Sequence, residues 1–162
     1  TNCRHIIFRT SWVFGARGQN FLKTILHLAS SRSELKIVND QHGAPTWSRM
    51  LAEATAVVLS KISVIPSAMW ESGIYNMTCA GVTSWYEFAK VVLEKAHQKG
   101  ILKQDVLPQI IPIATHEYPT KAKRPANSLL NNEKLQKTFA IVLPSWDTCV
   151  NLVIDEMMLG IS

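Results

Sequence analysis

What most constrains this chain is an alternation of short β-branched and aromatic runs with stretches of helical periodicity. Residues 5–14 are rich in Ile, Phe and Val and stop at Gly15, the pattern of one buried strand followed by a turn. Asn20 stands where it can cap a helix carrying Phe21, Ile25 and Leu28 at helical spacing. A short strand is expected at 35–38. A helix follows over 48–62, with Leu51, Ala54, Val58 and Ile62 facing inward. Another strand spans 73–78. Ser84 and Glu87 then have the spacing of a capping box, opening a helix with Phe88, Val92 and Ala96 on one side. Gly100 is placed to close that helix in the left-handed region. A strand at 110–113, an irregular segment over 114–128 and helices at 132–139 and 145–159 complete the chain. Loops as long as 114–128 are uncommon unless they serve a site. The fold class is α/β, with too few strands for a complete doubly wound sheet, so the chain reads as part of a larger fold.

Composition narrows the function classes. Hydrophobic residues make up 47% and charged ones 18%, enough apolar material for a core and the reverse of a disordered chain. The apolar runs at 56–59 and 110–113 are far too short to cross a bilayer, and no signal peptide opens the sequence. Thr1-Asn2-Cys3-Arg4-His5 leads directly into a strand without a Met, which suggests that residues precede it. Cys3, Cys79 and Cys149 are an odd number without close spacing, as expected of a reduced, cytoplasmic protein without structural zinc. The five His residues lack ligand spacing and Asp40, Glu117 and Glu133 are isolated, so no metal site is expected. The charge of +5 is spread out except at Lys121, Lys123 and Arg124. That cluster suits a phosphate or diphosphate, or simply a solvated loop. A nucleic-acid module would rest on the pI alone, and none is expected.

Several blocks carry a more specific signal. They begin with Arg9-Thr10-Ser11-Trp12-Val13-Phe14-Gly15 and Asn20-Phe21-Leu22-Lys23-Thr24, then Asp40-Gln41-His42-Gly43-Ala44-Pro45-Thr46. Next come Gly73-Ile74-Tyr75-Asn76-Met77 and Thr83-Ser84-Trp85-Tyr86-Glu87-Phe88-Ala89. Glu117-Tyr118-Pro119-Thr120, Arg124-Pro125-Ala126-Asn127-Ser128 with Lys134-Leu135, and Leu143-Pro144-Ser145-Trp146 follow in order. Together they resemble the extended short-chain dehydrogenase/reductase family, and within it the dTDP-4-dehydrorhamnose reductases. Asn76 departs from the family's usual His, and Lys121 and Lys123 from its usual Pro and Arg.

The resemblance implies a partial Rossmann-like extended short-chain reductase fold, in which 1–162 is the C-terminal sugar-nucleotide-binding portion. NADPH would be bound mainly by an N-terminal Rossmann portion absent from these residues, as would the glycine-rich turn and the catalytic Tyr-x-x-x-Lys. The whole enzyme would reduce dTDP-4-dehydro-L-rhamnose to dTDP-L-rhamnose for surface polysaccharides; this chain alone would be inactive, with no catalytic residue assigned. Tyr86 and Lys90 have Tyr-x-x-x-Lys spacing, and Gly15 and Gly18 sit between strand and helix. Their context favours a helix start and a plain turn. The same family holds a non-catalytic alternative, a regulatory subunit like the β-subunit of methionine adenosyltransferase.

The resemblance also ranks binding residues for the dTDP-sugar. Trp12 offers a flat face and one N–H to a deoxysugar, against ordinary core packing. Thr10 and Ser11 are its polar neighbours, or strand-end hydrogen-bonding groups. Asn20 can cap its helix and touch the diphosphate. Gln41 and Thr46 are candidates for base or diphosphate contacts, or for hydrogen bonds within their own loop. Arg124 is the strongest phosphate ligand, because guanidinium grips phosphate oxygens in a bidentate fork, with Asn127 beside it. Strand edges and apolar faces left uncovered would favour self-association.

Overall fold

The expected strand over 5–14 is two strands in the computed structural model, which describes residues 3–64, 66, 69–103, 106–118, 122 and 124–160. Strand β1 (Ile6–Arg9) ends before Trp12, and β2 (Val13–Phe14) begins after it. Trp12 has φ 49°, in the left-handed region that a bulky side chain rarely enters. The break hands the chain from one pairing partner to another. β1 runs parallel to β6 (Gly73–Asn76), whereas β2 runs parallel to β5 (Thr46–Trp47).

Two further pairs complete the strands. β3 (Glu34–Val38) lies parallel to β8 (Gln109–Ile113), in register from Glu34 with Gln109 to Val38 with Ile113. β4 (His42–Gly43) is antiparallel to β7 (Thr83–Ser84). Parallel pairing with helical crossovers is the α/β class expected from the alternation.

Helix α1 (Phe21–Ala29) starts at Asn20, whose Oδ1 accepts the Lys23 N–H at 3.2 Å. α2 (Ser48–Val64) and α3 (Trp85–Gln98) follow. Ser84 caps α3 by accepting the Glu87 N–H at 3.1 Å and donates to Asn39 Oδ1 at 2.6 Å, tying the helix start to the end of β3. Gly100, at φ 73°, turns the chain after α3 as expected. A 3-10 turn (Thr115–Glu117) lies within the segment expected to be irregular, and α4 (Glu133–Phe139) and α5 (Trp146–Met158) close the chain.

The apolar periodicities converge on two cores. Phe88, Val92 and Ala96 of α3 are fully buried against Leu22 and Ile25 of α1, Val150 and Ile154 of α5, and Phe14. Burying each such large side chain contributes about 1.5–3 kcal/mol. The second core joins Tyr75 and Met77 to Val58 of α2 and to Leu135 and Phe139 of α4. It covers one face of the β1–β6 pair, where Ile6 and Phe8 pack inward. On the opposite face the register partners Ile7 and Ile74 stay 53% and 45% exposed.

Cys79 and Cys149, distant in sequence, meet in the first core with their sulfurs 3.4 Å apart. Contact with the Cys79 sulfur and burial push the Cys149 thiol up, so it stays protonated. Among the described residues no helix is long and apolar enough to cross a membrane, and no cluster of His, Cys, Asp or Glu could hold a metal. Cys3 alone of the three cysteines is exposed. A thiol-reactive chromophore should therefore titrate one thiol in the native protein and all three after denaturation; rapid native labelling of Cys79 or Cys149 would contradict this packing.

Candidate functional site

The whole of β3, the carboxyl end of β8, helix α1, the start of α3 and the 124–128 segment surround a cavity of about 1030 Å³. Its apolar wall comes from Ile25 and Leu28 of α1 and from Leu35, Ile37 and Val38 of β3. An aromatic cluster stands beside that wall. The Trp12 and Trp85 rings stack with centroids 3.6 Å apart and planes 11° apart, and Phe21 leans on Trp85 at 4.5 Å. Cationic side chains come from Arg32, Lys36 and Arg124. The carboxylates Glu34 and Glu117 also line it, leaving one more cation than anion, and a lining that combines aromatic, apolar and cationic groups suits a ligand with both a ring and a phosphate group.

A short hydrogen-bond chain fixes the polar rim. Gln41 Nε2 donates to Thr115 Oγ1 at 3.1 Å, and the Thr115 hydroxyl in turn donates to Asp40. The Thr115 backbone N–H reaches both Asp40 oxygens at 3.0 Å. These bonds hold the Asp40 carboxyl below its ordinary value of 3.8. The segment carrying Arg124 is pinned nearby: the His42 N–H donates to Ala126 O, and the Ser128 N–H donates to His42 O, both at 2.8 Å.

Of the residues singled out from the sequence, Ser11, Trp12, Gln41 and Arg124 line this cavity. The Ser11 hydroxyl is buried and has no hydrogen-bond partner, which leaves it open to a ligand group. The others do not line it. Thr10 is exposed outside the lining. Asn20 spends its amide on the turn, donating to Gly15 O at 2.9 Å and Arg17 O at 3.2 Å while capping α1. Thr46 is fully buried, donating to Ala44 O at 3.0 Å and accepting the Cys79 N–H at 3.2 Å. Asn127 Oδ1 accepts the Leu129 N–H at 2.9 Å within its own loop. Lys121 and Lys123 fall outside the described residues, as do Pro119 and Thr120 of the Glu117–Thr120 block.

The spacings judged misleading are absorbed by packing. Tyr86 packs against the first core, Lys90 is exposed, and neither lines the cavity. The glycine at 15 is accounted for by packing, since a Cβ there would sit 2.7 Å from Ser48 Oγ at the start of α2. Sequence reasoning missed Phe21, Arg32, Lys36 and Trp85 as lining residues. Trp85 carried a signal, since it opens a recognised block; Arg32 and Lys36 carried none, being scattered surface charges until β3 and α1 come together.

The Asp40–Thr115 anchor makes a pH-dependent contribution. Because the folded carboxyl is held below 3.8, its stabilisation is present above that value and is lost as pH falls through the folded one. The stability gap between the wild-type chain and Asp40→Asn in urea unfolding should therefore narrow from neutral pH to about pH 3. A gap that stays constant would mean that the carboxylate is not anchored.

Comparison with known proteins agrees with this arrangement. Residues 1–159 match the family described as the RmlD substrate binding domain. The dTDP-4-dehydrorhamnose reductase of Escherichia coli K12 is 44% identical over 158 residues, taking in 95% of this chain and 50% of that protein. Among solved structures, the Clostridium acetobutylicum dTDP-4-dehydrorhamnose reductase aligns at TM-score 0.80 and 31% identity, over 94% of this chain and 49% of that one. The Bacillus anthracis enzyme in complex with NADP aligns at 0.78 and 30% identity, over 93% and 48%. The chain thus spans about half the length of the relatives it matches. With a match running nearly end to end, the chain belongs to the RmlD substrate-binding domain family.

Proposed function

We propose that the cavity binds the nucleotide sugar of a dTDP-4-dehydrorhamnose reductase acting in the cytoplasm. In the whole enzyme NADPH reduces the 4-keto group of dTDP-4-dehydro-L-rhamnose. The observation that carries this reading is the polarity of the cavity, with the Trp12, Trp85 and Phe21 cluster as one wall and Arg124, Arg32 and Lys36 as its cations. A deoxysugar has apolar C–H groups that pack against an aromatic wall, and a diphosphate is drawn to guanidinium groups. Ser11 and Gln41 add polar groups to the lining. The role of this half is to bind and orient the sugar nucleotide, and hydride transfer requires the dinucleotide-binding half found in such reductases. Asn20 and Thr46 spend their polar atoms on the fold, the Asn127 Oδ1 accepts the Leu129 N–H, and Thr10 lies outside the lining.

Tryptophan fluorescence reports on this directly, since two of the five tryptophans line the cavity. Titration with dTDP-L-rhamnose should give saturable quenching, and NADPH should give none. Arg124→Ala should weaken binding about ten- to hundredfold, the loss expected for a charge-assisted hydrogen bond. Quenching by NADPH alone would overturn the assignment.

The outer face of the β1–β6 pair bears on assembly. Ile7 and Ile74 lie side by side there, and Val13 is also 47% exposed. Apolar faces of this kind seek cover, and we propose that the isolated chain self-associates through this one. Light scattering at micromolar concentration should show a mass above that of the 18.1 kDa monomer, reduced by Ile7→Lys. A monomeric mass for the wild-type chain would refute the proposal.

A further inference from the structure

Trp12 is gripped on both faces. Trp85 stacks on one of them at a centroid distance of 3.6 Å. Gly43 closes the other: a Cβ built there would stand 2.6 Å from Cε2 of the indole and 2.9 Å from Cδ2 and Cζ2. Cε2 is a ring-fusion carbon with no free in-plane direction, so an approach this close comes from above the ring plane. It cannot come from the side that Trp85 occupies. The glycine is there because its missing side chain is where the indole lies.

The two walls are delivered together by the sequence. In the antiparallel β4–β7 pair Gly43 lies opposite Thr83 and His42 opposite Ser84, so Trp85, the next residue, leaves the pair on the Gln41 side, two residues on from the partner of Gly43. Ser84 locks that start of α3 onto Asn39 at 2.6 Å. The Trp12 backbone is fixed as well, its carbonyl accepting the Thr46 N–H at 3.1 Å. Three blocks distant in the chain thus meet at one side chain. The covered faces also change what Trp12 can offer. Since Trp12 still lines the cavity, it presents an edge to a ligand, not the flat face expected from the sequence.

We infer that Gly43 and Trp85 are positioning residues that hold the Trp12 indole edge-on to the cavity, and so set selectivity for the sugar of the bound sugar nucleotide. This rests on the reading that the cavity takes a dTDP-sugar with its sugar at Trp12. A ring free to turn would present a different contour to each ligand; a clamped ring presents one. Loosening the clamp should therefore reduce affinity for the sugar-bearing ligand and leave the bare nucleotide diphosphate unaffected.

The test measures binding of dTDP-L-rhamnose and of dTDP by calorimetry to the wild-type chain and to Trp12→Ala, Trp85→Leu, Trp85→Phe and Gly43→Ala. Far-ultraviolet circular dichroism is recorded in parallel, because stacked indoles give an exciton couplet. The wild-type chain should show the couplet and Trp85→Leu should lose it. Trp85→Leu and Gly43→Ala should each weaken dTDP-L-rhamnose about tenfold with dTDP unchanged. Trp85→Phe, which restores an aromatic wall, should recover most of that loss. Gly43→Ala keeps the inference testable should Trp85→Leu fail to fold. Unchanged dTDP-L-rhamnose affinity in Gly43→Ala, with Trp12→Ala weakened, would overturn the clamp alone. So would an equal loss for both ligands, or a wild-type chain without the couplet. Wild-type affinity in Trp12→Ala, or no binding by the wild-type chain, would overturn the site reading beneath it.

Discussion

The backbone at Trp12 is the constraint on which the rest of the molecule depends. At φ 49° the chain leaves its pairing with β6 and takes up a second pairing with β5, so one apolar run serves two sheets. A bulky residue held in that region costs about 1–3 kcal/mol. The indole stack on Trp85 returns about 0.5–1.5 kcal/mol. The hydrogen bond from the Thr46 N–H to the Trp12 carbonyl returns a similar amount, about 0.5–1.5 kcal/mol. The strain is therefore balanced locally by contacts that exist only when β4, β5 and α3 are in place. An ordinary extended residue at this position would carry the strand onward and leave the indole outside the cavity.

From that break the site follows by short steps. β3 is followed by Asn39 and Asp40, one gripping Ser84 at the start of α3 and the other gripping Thr115 after β8. These links set the aromatic wall and the polar rim at fixed separation. The 124–128 segment is then laid against β4 by backbone bonds on either side of His42. Each wall is thus anchored by backbone or buried groups, while the cationic groups in the lining, Arg32, Lys36 and Arg124, stay on exposed side chains. Such a division suits binding a charged ligand whose ring must be held in one orientation.

The sequence was legible where signals were long and periodic. The helix faces with Phe88, Val92 and Ala96, and with Ala54 and Val58, are the core faces observed. The caps at Asn20 and Ser84 work as their side-chain chemistry requires. The break at Trp12 was not legible, since nothing in Thr10-Ser11-Trp12 marks a left-handed residue and the run reads as continuous. Strands β4, β5 and β7 are two residues each, below any useful period. Motif resemblance pointed to Trp12, Gln41 and Arg124, which sit in distinctive blocks and line the cavity. It also drew in Thr46 and Asn20, whose polar atoms are consumed by the fold. A motif marks what a fold needs as readily as what a ligand needs, and only hydrogen-bond accounting separates the two. The meeting of Cys79 with Cys149 was hidden for a related reason, as contacts between distant segments leave no local spacing.

The most direct test is a crystal structure of this chain grown with dTDP-L-rhamnose. The expected result places the sugar against the edge of Trp12 and the diphosphate at Arg124, with the Trp12 backbone still in the left-handed region. Density for the ligand in the separate cleft beside Lys134 and Lys137, or a Trp12 backbone relaxed into a continuous strand, would contradict it.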